Sequence, residues 1–281
     1  MTAQSAQQAT ISSYGVRVPA LGFGTFTLEG TDCREMVKAA LSIGYRHIDT
    51  AKMYGNEEAV GAGIRDSEVP RDQVFLTSKV WMDQLHYDDL TAATDDSLAK
   101  LGTDHLDLLL IHWPNDRVPL SESLRALEDL QRAGKVRYVG VSNFTTALMR
   151  EAVEKNGADI VCNQVEYHPF LNQQPVLNEA RRLGLFLTAY CPLAKGRAPN
   201  DPTLQAIGEK HGKTAAQVAL RWLIQHGDVA AIPKASSRAH AEANFDIFDF
   251  QLDPGDLAQI AQLPGGTRII NPSWAPHWDA A

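Results

Sequence analysis

Several things are scarce or missing from this sequence. No apolar run reaches about eighteen residues, the span a helix needs to cross a bilayer, so no membrane contact is expected. Cysteine is rare. Cys33, Cys162 and Cys191 are odd in number and far apart, which argues against a disulfide framework or a paired-cysteine metal site and predicts free thiols. Positive charge is outweighed: 26 Lys and Arg stand against 34 Asp and Glu, a formal net charge of -8. That balance argues against a nucleic-acid partner but leaves room for a local cationic pocket. The nine histidines never form HExxH, and no metal site is expected. Neither GxGxxG after a strand nor GxxxxGK[ST] occurs, so the two common nucleotide-binding loops are absent. The opening MTAQSAQQAT lacks the basic start and apolar centre of a secretion signal, and a cytoplasmic protein is expected.

What the sequence does contain is a regular alternation. Residues 1–10 are expected to be a mobile N-terminus and residues 11–281 one domain, since no low-complexity linker interrupts them. Ile11–Pro19, with Tyr14-Gly15 between short alternating segments, predicts a hairpin. Short apolar runs then predict strands at Leu21–Gly24, Tyr45–Asp49, Val74–Lys79, Leu106–His112, Val136–Ser142, Ile160–Glu166, Leu185–Tyr190 and Val229–Ile232. Helical periodicity fills the gaps, as in Thr31–Ile43, Tyr87–Leu101, Leu120–Ala133 and Thr145–Asn156. Glycine follows several of these helices, as a left-handed C-terminal stop requires. Strands spaced about thirty residues apart with helices between them imply a parallel α/β sheet with right-handed crossovers. A closed (β/α)8 TIM barrel and an open doubly wound sheet both satisfy that pattern. Pro254–Leu263 predicts one further helix, followed by an irregular C-terminal tail carrying Trp274 and Trp278.

Polar groups collect at the carboxyl ends of successive strands. YRHIDTAKMY brings Asp49 and then Tyr54; VFLTSK ends at Lys79; LDLLLIH ends at His112; YVGVSN ends at Ser142 and Asn143. In a barrel of parallel strands those ends converge at one mouth. Taken singly, each residue has a plainer reading: Asp49 as a cap, Tyr54 as packing, Lys79 as a solvated end, His112 as part of the turn before Trp113-Pro114. Together they make chemical sense. A phenol is a weak acid near neutrality, and a neighbouring ammonium favours its ionised form. Lys79 could supply that charge, with Asp49 keeping Lys79 protonated. Tyr54 could then give a proton to a carbonyl oxygen while hydride reaches the carbon, and His112 could orient the carbonyl. A second cluster is IPKASSR, Ile232–Arg238, after the last strand. Ser236 and Ser237 precede a helix start and Lys234 adds charge, a candidate anion site.

The chain closely resembles the aldo-keto reductase family over most of its length. The matching runs are GFGTF (Gly22–Phe26), GYRHIDTAKMYGNEEAVG (Gly44–Gly61), LTSKVW (Leu76–Trp81), LDLLLIHWP (Leu106–Pro114), GKVRYVGVSNF (Gly134–Phe144), NQVEYHP (Asn163–Pro169) and AIPKASS (Ala231–Ser237). The terminal APHWD is similar to that of small bacterial members acting on 2,5-diketo-gluconate and methylglyoxal-like dicarbonyls. The resemblance implies the closed barrel and NADPH as cofactor, with NADH a weaker alternative. It implies Tyr54 as proton donor, Asp49 and Lys79 as its tuning pair, and His112 as the orienting group. It carries Ser142, Asn143 and Gln164 onto the nicotinamide carboxamide, Tyr190 onto the nicotinamide ring, and Asp49 also towards the ribose. Gly24, Thr25, Leu193 and Lys195 join the cofactor set, the stretch Leu193–Pro202 covering the pyrophosphate. Lys234 and Ser236–Arg238 correspond to the grip on the 2'-phosphate, and Asn244 to an adenine contact. The chain departs from the family pattern at His240, where arginine is common, and at Ala243, where glutamate is common.

Phe23, Trp81, Trp113 and Trp274, with His112, are the expected walls of a substrate pocket for a small carbonyl compound, and a monomer is expected. Two other classes remain open at this stage. One is a Schiff-base aldolase using Lys79 as nucleophile. The other is a cofactor-binding redox sensor or regulatory protein with weak turnover.

Overall fold

The computed structural model describes residues 9–13 and 15–279. Residues 1–8 of the expected mobile N-terminus, and Tyr14 in the expected hairpin turn, lie outside them. Strand β1 (Thr10–Ser13) pairs antiparallel with β2 (Val16–Pro19), giving the hairpin. The chain then alternates strand and helix through β3 (Phe23–Gly24), α1 (Gly30–Ile43), β4 (His47–Asp49), α2 (Glu57–Asp66), β5 (Phe75–Val80), α3 (Tyr87–Leu101), β6 (Leu106–Ile111), α4 (Leu120–Arg132) and β7 (Val136–Ser142). It continues through α5 (Thr146–Arg150), β8 (Cys162–Glu166), α6 (Gln174–Leu183), β9 (Phe186–Tyr190), α7 (Pro202–His211), α8 (Ala215–Ile224), β10 (Val229–Ala231), α9 (Arg238–Phe245) and α10 (Pro254–Ile260).

Strands β3 to β10 form one eight-stranded sheet in sequential order, each neighbour parallel to the next. The sheet curls until its edges meet. Leu21 bridges Ala231 in parallel, the Gly22 N–H donates to Ala231 O at 2.8 Å and the Ala231 N–H to Ala20 O at 2.8 Å. Gly24 sits on this seam. A Cβ there would fall 2.7 Å from the Ile232 carbonyl oxygen, so a side chain would hold the seam open. The closed (β/α)8 barrel is therefore the architecture, and the open sheet is not.

Burial explains why strands read as near-continuous apolar runs. Every residue of β5 and β6 is buried, as expected where helices cover the outer face and side chains fill the inner one. The one carboxylate in β6, Asp107, is fully committed. It accepts the Leu76 N–H at 2.9 Å, Arg71 at 2.9 Å and Arg137 at 2.9 Å, tying three adjacent strands at the end opposite the mouth. Helix ends follow local chemistry. Gly102, Gly184 and Gly212 adopt the left-handed C-cap conformation, and Thr214–Gln217 and Asp253–Asp256 form capping boxes.

Two boundaries differ from expectation in an informative way. The expected helix Thr145–Asn156 ends in a π turn over Glu151–Lys155, because the Asn156 N–H bonds the Glu151 carbonyl five residues back at 3.1 Å while its side chain caps the same oxygen at 2.7 Å. The last helix stops at Ile260, three residues short of the expected Leu263. All three cysteines are free thiols, Cys33 and Cys162 buried and Cys191 partly so. Among the described residues no helix is long and apolar enough to cross a membrane.

Candidate active site

The strand ends converge as parallel geometry requires. Lys79, at the end of β5, is wholly enclosed and gives its three protons to three acceptors: Asp49 Oδ1 at 2.6 Å, the Thr50 carbonyl at 2.8 Å and the Tyr54 hydroxyl at 3.3 Å. The other Asp49 oxygen accepts the Gln164 amide at 2.8 Å, so both are engaged. Thr25 holds the Asp49 backbone, its N–H and hydroxyl donating to Asp49 O at 3.0 and 3.1 Å. Tyr54 lies edge-on to His112 with ring centroids 5.7 Å apart, and Trp81 also stands edge-on to His112 at 5.0 Å. The four catalytic candidates thus form one contact chain.

Electrostatics sharpen their roles. Burial pulls the Lys79 pKa down, but Asp49 and Tyr54 outweigh it and the ammonium is held above its ordinary range. An ammonium that donates to three acceptors is a poor nucleophile, which argues against the Schiff-base aldolase reading. Burial lowers the His112 pKa well below the usual histidine value, and Lys79 lowers it further, so the imidazole is neutral. For Tyr54 the expected net direction is reversed. Burial raises its pKa above the ordinary phenol value, and Lys79 only restrains that rise. The phenol is a neutral donor whose ionisation is made less costly, not a phenolate.

The proposed nicotinamide-facing residues are preorganised by one another. Asn143 adopts φ +62°, a left-handed conformation unusual outside glycine. Its Nδ2 donates to the His112 carbonyl at 2.9 Å and to Ser142 Oγ at 3.1 Å, and its Oδ1 accepts the Tyr190 hydroxyl at 2.7 Å. Ser142 donates to the Gln164 carbonyl at 2.9 Å. Ser142, Asn143, Gln164 and Tyr190 therefore come together beside Asp49. The chemistry of this set fits an amide: Gln164 spends one amide proton on Asp49 and keeps its carbonyl oxygen, and Asn143 Oδ1 retains a lone pair. The buried His112 Nδ1 has no partner at all, so the imidazole has unspent hydrogen-bonding capacity.

The phosphate candidates are brought together less tightly. Lys234 and Ser236 are exposed at the end of β10. The Ser237 hydroxyl caps α9 by accepting the His240 N–H at 3.3 Å. Arg238 is tethered to Glu242 at 2.8 Å and to Ser42 at 3.0 Å, so its guanidinium is partly spent. Asn244 is buried on α9. The loop after β9 holds Cys191, Ala194 and Lys195 at φ 48°, 50° and 49°, with Leu193 among them. Three non-glycine residues in that region within five positions mark a loop under local strain.

The pocket walls need one correction. Phe23 has no exposed surface; its ring is edge-on to Tyr45 at 5.8 Å in the packed core. The phenylalanine at the mouth is Phe26, 52% exposed and 4.9 Å from the Tyr54 ring. Phe23 lies within the strand, whereas Phe26 lies on the loop beyond the strand end, and that loop position is the signal by which the sequence could have pointed to it. Trp274, half exposed, stands edge-on to Trp81 at 6.5 Å, while Trp113 is buried against Trp278 at 6.0 Å. Trp81 and Trp274 face the mouth; Trp113 anchors the tail.

A barrel with an enclosed ammonium–carboxylate pair against a phenol and a neutral imidazole at its mouth defines an oxidoreductase of the barrel type. The chain belongs to the aldo/keto reductase family, whose model matches residues 20–264. It is similar to a methylglyoxal reductase of Escherichia coli O157:H7, with 41% identity over 93% of this chain and 99% of that one. A solved structure carrying the provisional name 2,5-diketo-D-gluconic acid reductase B is 50% identical, covers 98% of this chain and 99% of its own, and superposes with a TM-score of 0.95. A Bombyx mori aldo-keto reductase solved in complex with NADP is 34% identical over 94% of this chain and 95% of its own, with a TM-score of 0.87.

Proposed function

We propose that this protein reduces small aldehydes, ketones and especially α-dicarbonyls to alcohols, using NADPH. The observation that carries the reading is the Lys79 ammonium, enclosed and held between Asp49 and the Tyr54 hydroxyl, with His112 against the same phenol. Reduced nicotinamide, when bound, supplies hydride to the carbonyl carbon. Tyr54 gives its hydroxyl proton to the carbonyl oxygen, and Lys79 offsets the negative charge left on the phenol oxygen. His112, neutral, donates a hydrogen bond that orients the carbonyl and stabilises charge on its oxygen. Asp49 keeps Lys79 charged and in place. Ser142, Asn143 and Gln164 would hold the carboxamide, Tyr190 the face of the ring, and the mouth aromatics Phe26, Trp81 and Trp274 would exclude water.

Lys234 is the cation best placed to grip a 2'-phosphate, with Ser236 and the start of α9 beside it. Relatives described as reducing methylglyoxal, or solved with NADP, support the substrate class and the cofactor. The test is Tyr54→Phe, assayed by NADPH consumption over a panel of aldehydes, α-dicarbonyls and keto sugars. The variant should bind NADPH normally and lose about 10²–10⁴-fold in kcat, the usual contribution of a positioned general acid. Near-normal turnover would remove Tyr54 from the role.

A further inference from the structure

Glu166 ends β8 directly beside Tyr190, has no exposed surface, and plays no part in the carbonyl chemistry described above. Its carboxylate is spent on the C-terminal tail. Oε1 accepts the Ile269 N–H at 2.7 Å and Oε2 accepts the Ile270 N–H at 2.7 Å, across 103 and 104 residues of chain. His168 Nε2 donates to Oε1 at 3.0 Å, and its tautomer is set because the Phe170 N–H donates to the other ring nitrogen at 3.3 Å. A second carboxylate pins the far end. Asp279 accepts the Thr146 N–H at 2.9 Å and the Thr146 hydroxyl at 2.7 Å, at the start of α5. Between the pins the chain has no helix or strand. That span, braced within itself by the Ala275 N–H to Pro272 O bond at 2.9 Å and by Trp278, which donates to Asn271 Oδ1 at 2.8 Å and packs on Trp113, carries Trp274, which meets Trp81, which meets His112.

A span with one internal turn bond and no helix or strand takes much of its position from the groups that grip its ends. Two oxygens of one rigid carboxylate gripping two consecutive amides fix both the place and the rotation of the chain. One neutral acceptor could not do so. We infer that Glu166 is a positioning residue for substrate selection: by gripping Ile269 and Ile270 it sets where Trp274 stands over Trp81, and so the width of the slot that receives the substituents of the carbonyl. The inference rests on the carbonyl-reduction reading and adds to it a residue that touches neither substrate nor cofactor.

The test is Glu166→Gln, which keeps the shape but leaves one acceptor and turns an amide N–H towards a backbone donor. Trypsin offers a direct readout, because the Arg268–Ile269 bond lies at the pin. In Glu166→Gln the C-terminal peptide should be released about tenfold faster than in the parent, the loss expected for a charge-assisted bond. The KM for a bulky diketone such as 1-phenyl-1,2-propanedione should change about tenfold relative to that for methylglyoxal, while kcat for methylglyoxal stays within about twofold. Glu166→Asp, retaining both oxygens, should recover part of the protection and part of the KM ratio. Should Glu166→Gln fail to fold, Asp279→Asn loosens the opposite end and should move the same KM ratio in the same direction. Unchanged protection, or an unchanged KM ratio once protection is lost, in a folded variant overturns the inference. The proteolysis arm requires no turnover, so its result stands whether or not methylglyoxal proves to be a substrate.

Discussion

Replacing Lys79 with methionine removes the charge on which the site is built, and the structure sets the scale of the loss. A unit charge 3.3 Å from the phenol oxygen favours its anion by about 5 kcal/mol at an effective dielectric near 20. Asp49, 2.6 Å from the ammonium, opposes that help, which goes to a donor whose burial already works against ionisation. With half of the proton transferred at the barrier, kcat should fall at least tenfold from this effect alone, and about 10²-fold once the lost alignment of Tyr54 is added. Stability suffers separately. Asp49 is left enclosed with Gln164 as its remaining side-chain partner, and an uncompensated buried charge costs about 3–5 kcal/mol. The double variant Lys79→Met/Asp49→Asn removes that stranded charge. It should regain most of the stability in urea melts and none of the turnover in an NADPH absorbance assay. Turnover in Lys79→Met within about threefold of the parent, or a double variant no more stable than the single one, would refute the reasoning.

Two further outcomes follow from the same electrostatics. The folded-state pKa of His112 lies below 6.5, so as pH falls through 6.5 the unfolded chain takes up a proton that the folded chain refuses, and stability declines; thermal melts of His112→Gln should lack that part of the acid slope. The pH–rate profile of the parent should show no inflection from His112 near 6.5, because the residue is already neutral there. Lys234→Ala should raise the KM for NADPH much more than that for NADH, since only NADPH carries the 2'-phosphate. Equal changes would move the phosphate grip elsewhere.

The barrel was legible because its signals are local. Tyr87–Leu101 and Val136–Ser142 match the expected spans residue for residue. That Asp49, Tyr54, Lys79 and His112 meet was legible because parallel strands gather their carboxyl ends at one mouth, whatever the loops between them do. What stayed hidden depends on the third dimension. Phe23 and Phe26 are three positions apart, and only the strand end decides that one packs on Tyr45 and the other on Tyr54. The direction of the Tyr54 shift is a contest between burial and Lys79, and a sequence shows the lysine but not the burial. The bond from Glu166 to Ile269 spans most of the second half of the chain and leaves no local pattern. Arg238 looked available for a phosphate because Ser42, its partner, lies in a helix at the other end of the sequence.

The free thiols acquire a meaning from the proposed substrates. Dicarbonyls are electrophiles that condense with thiolates, so an enzyme that gathers them risks being derivatised by its own reagent. Burial pushes the Cys33 thiol up to about 11, Cys191 up to about 11 and Cys162 up to about 12. At neutral pH each is ionised for about one part in ten thousand or less. Cys191 follows Tyr190 directly, yet burial disfavours its thiolate. The packing around each sulfur thus disfavours the form that would react with the proposed substrates.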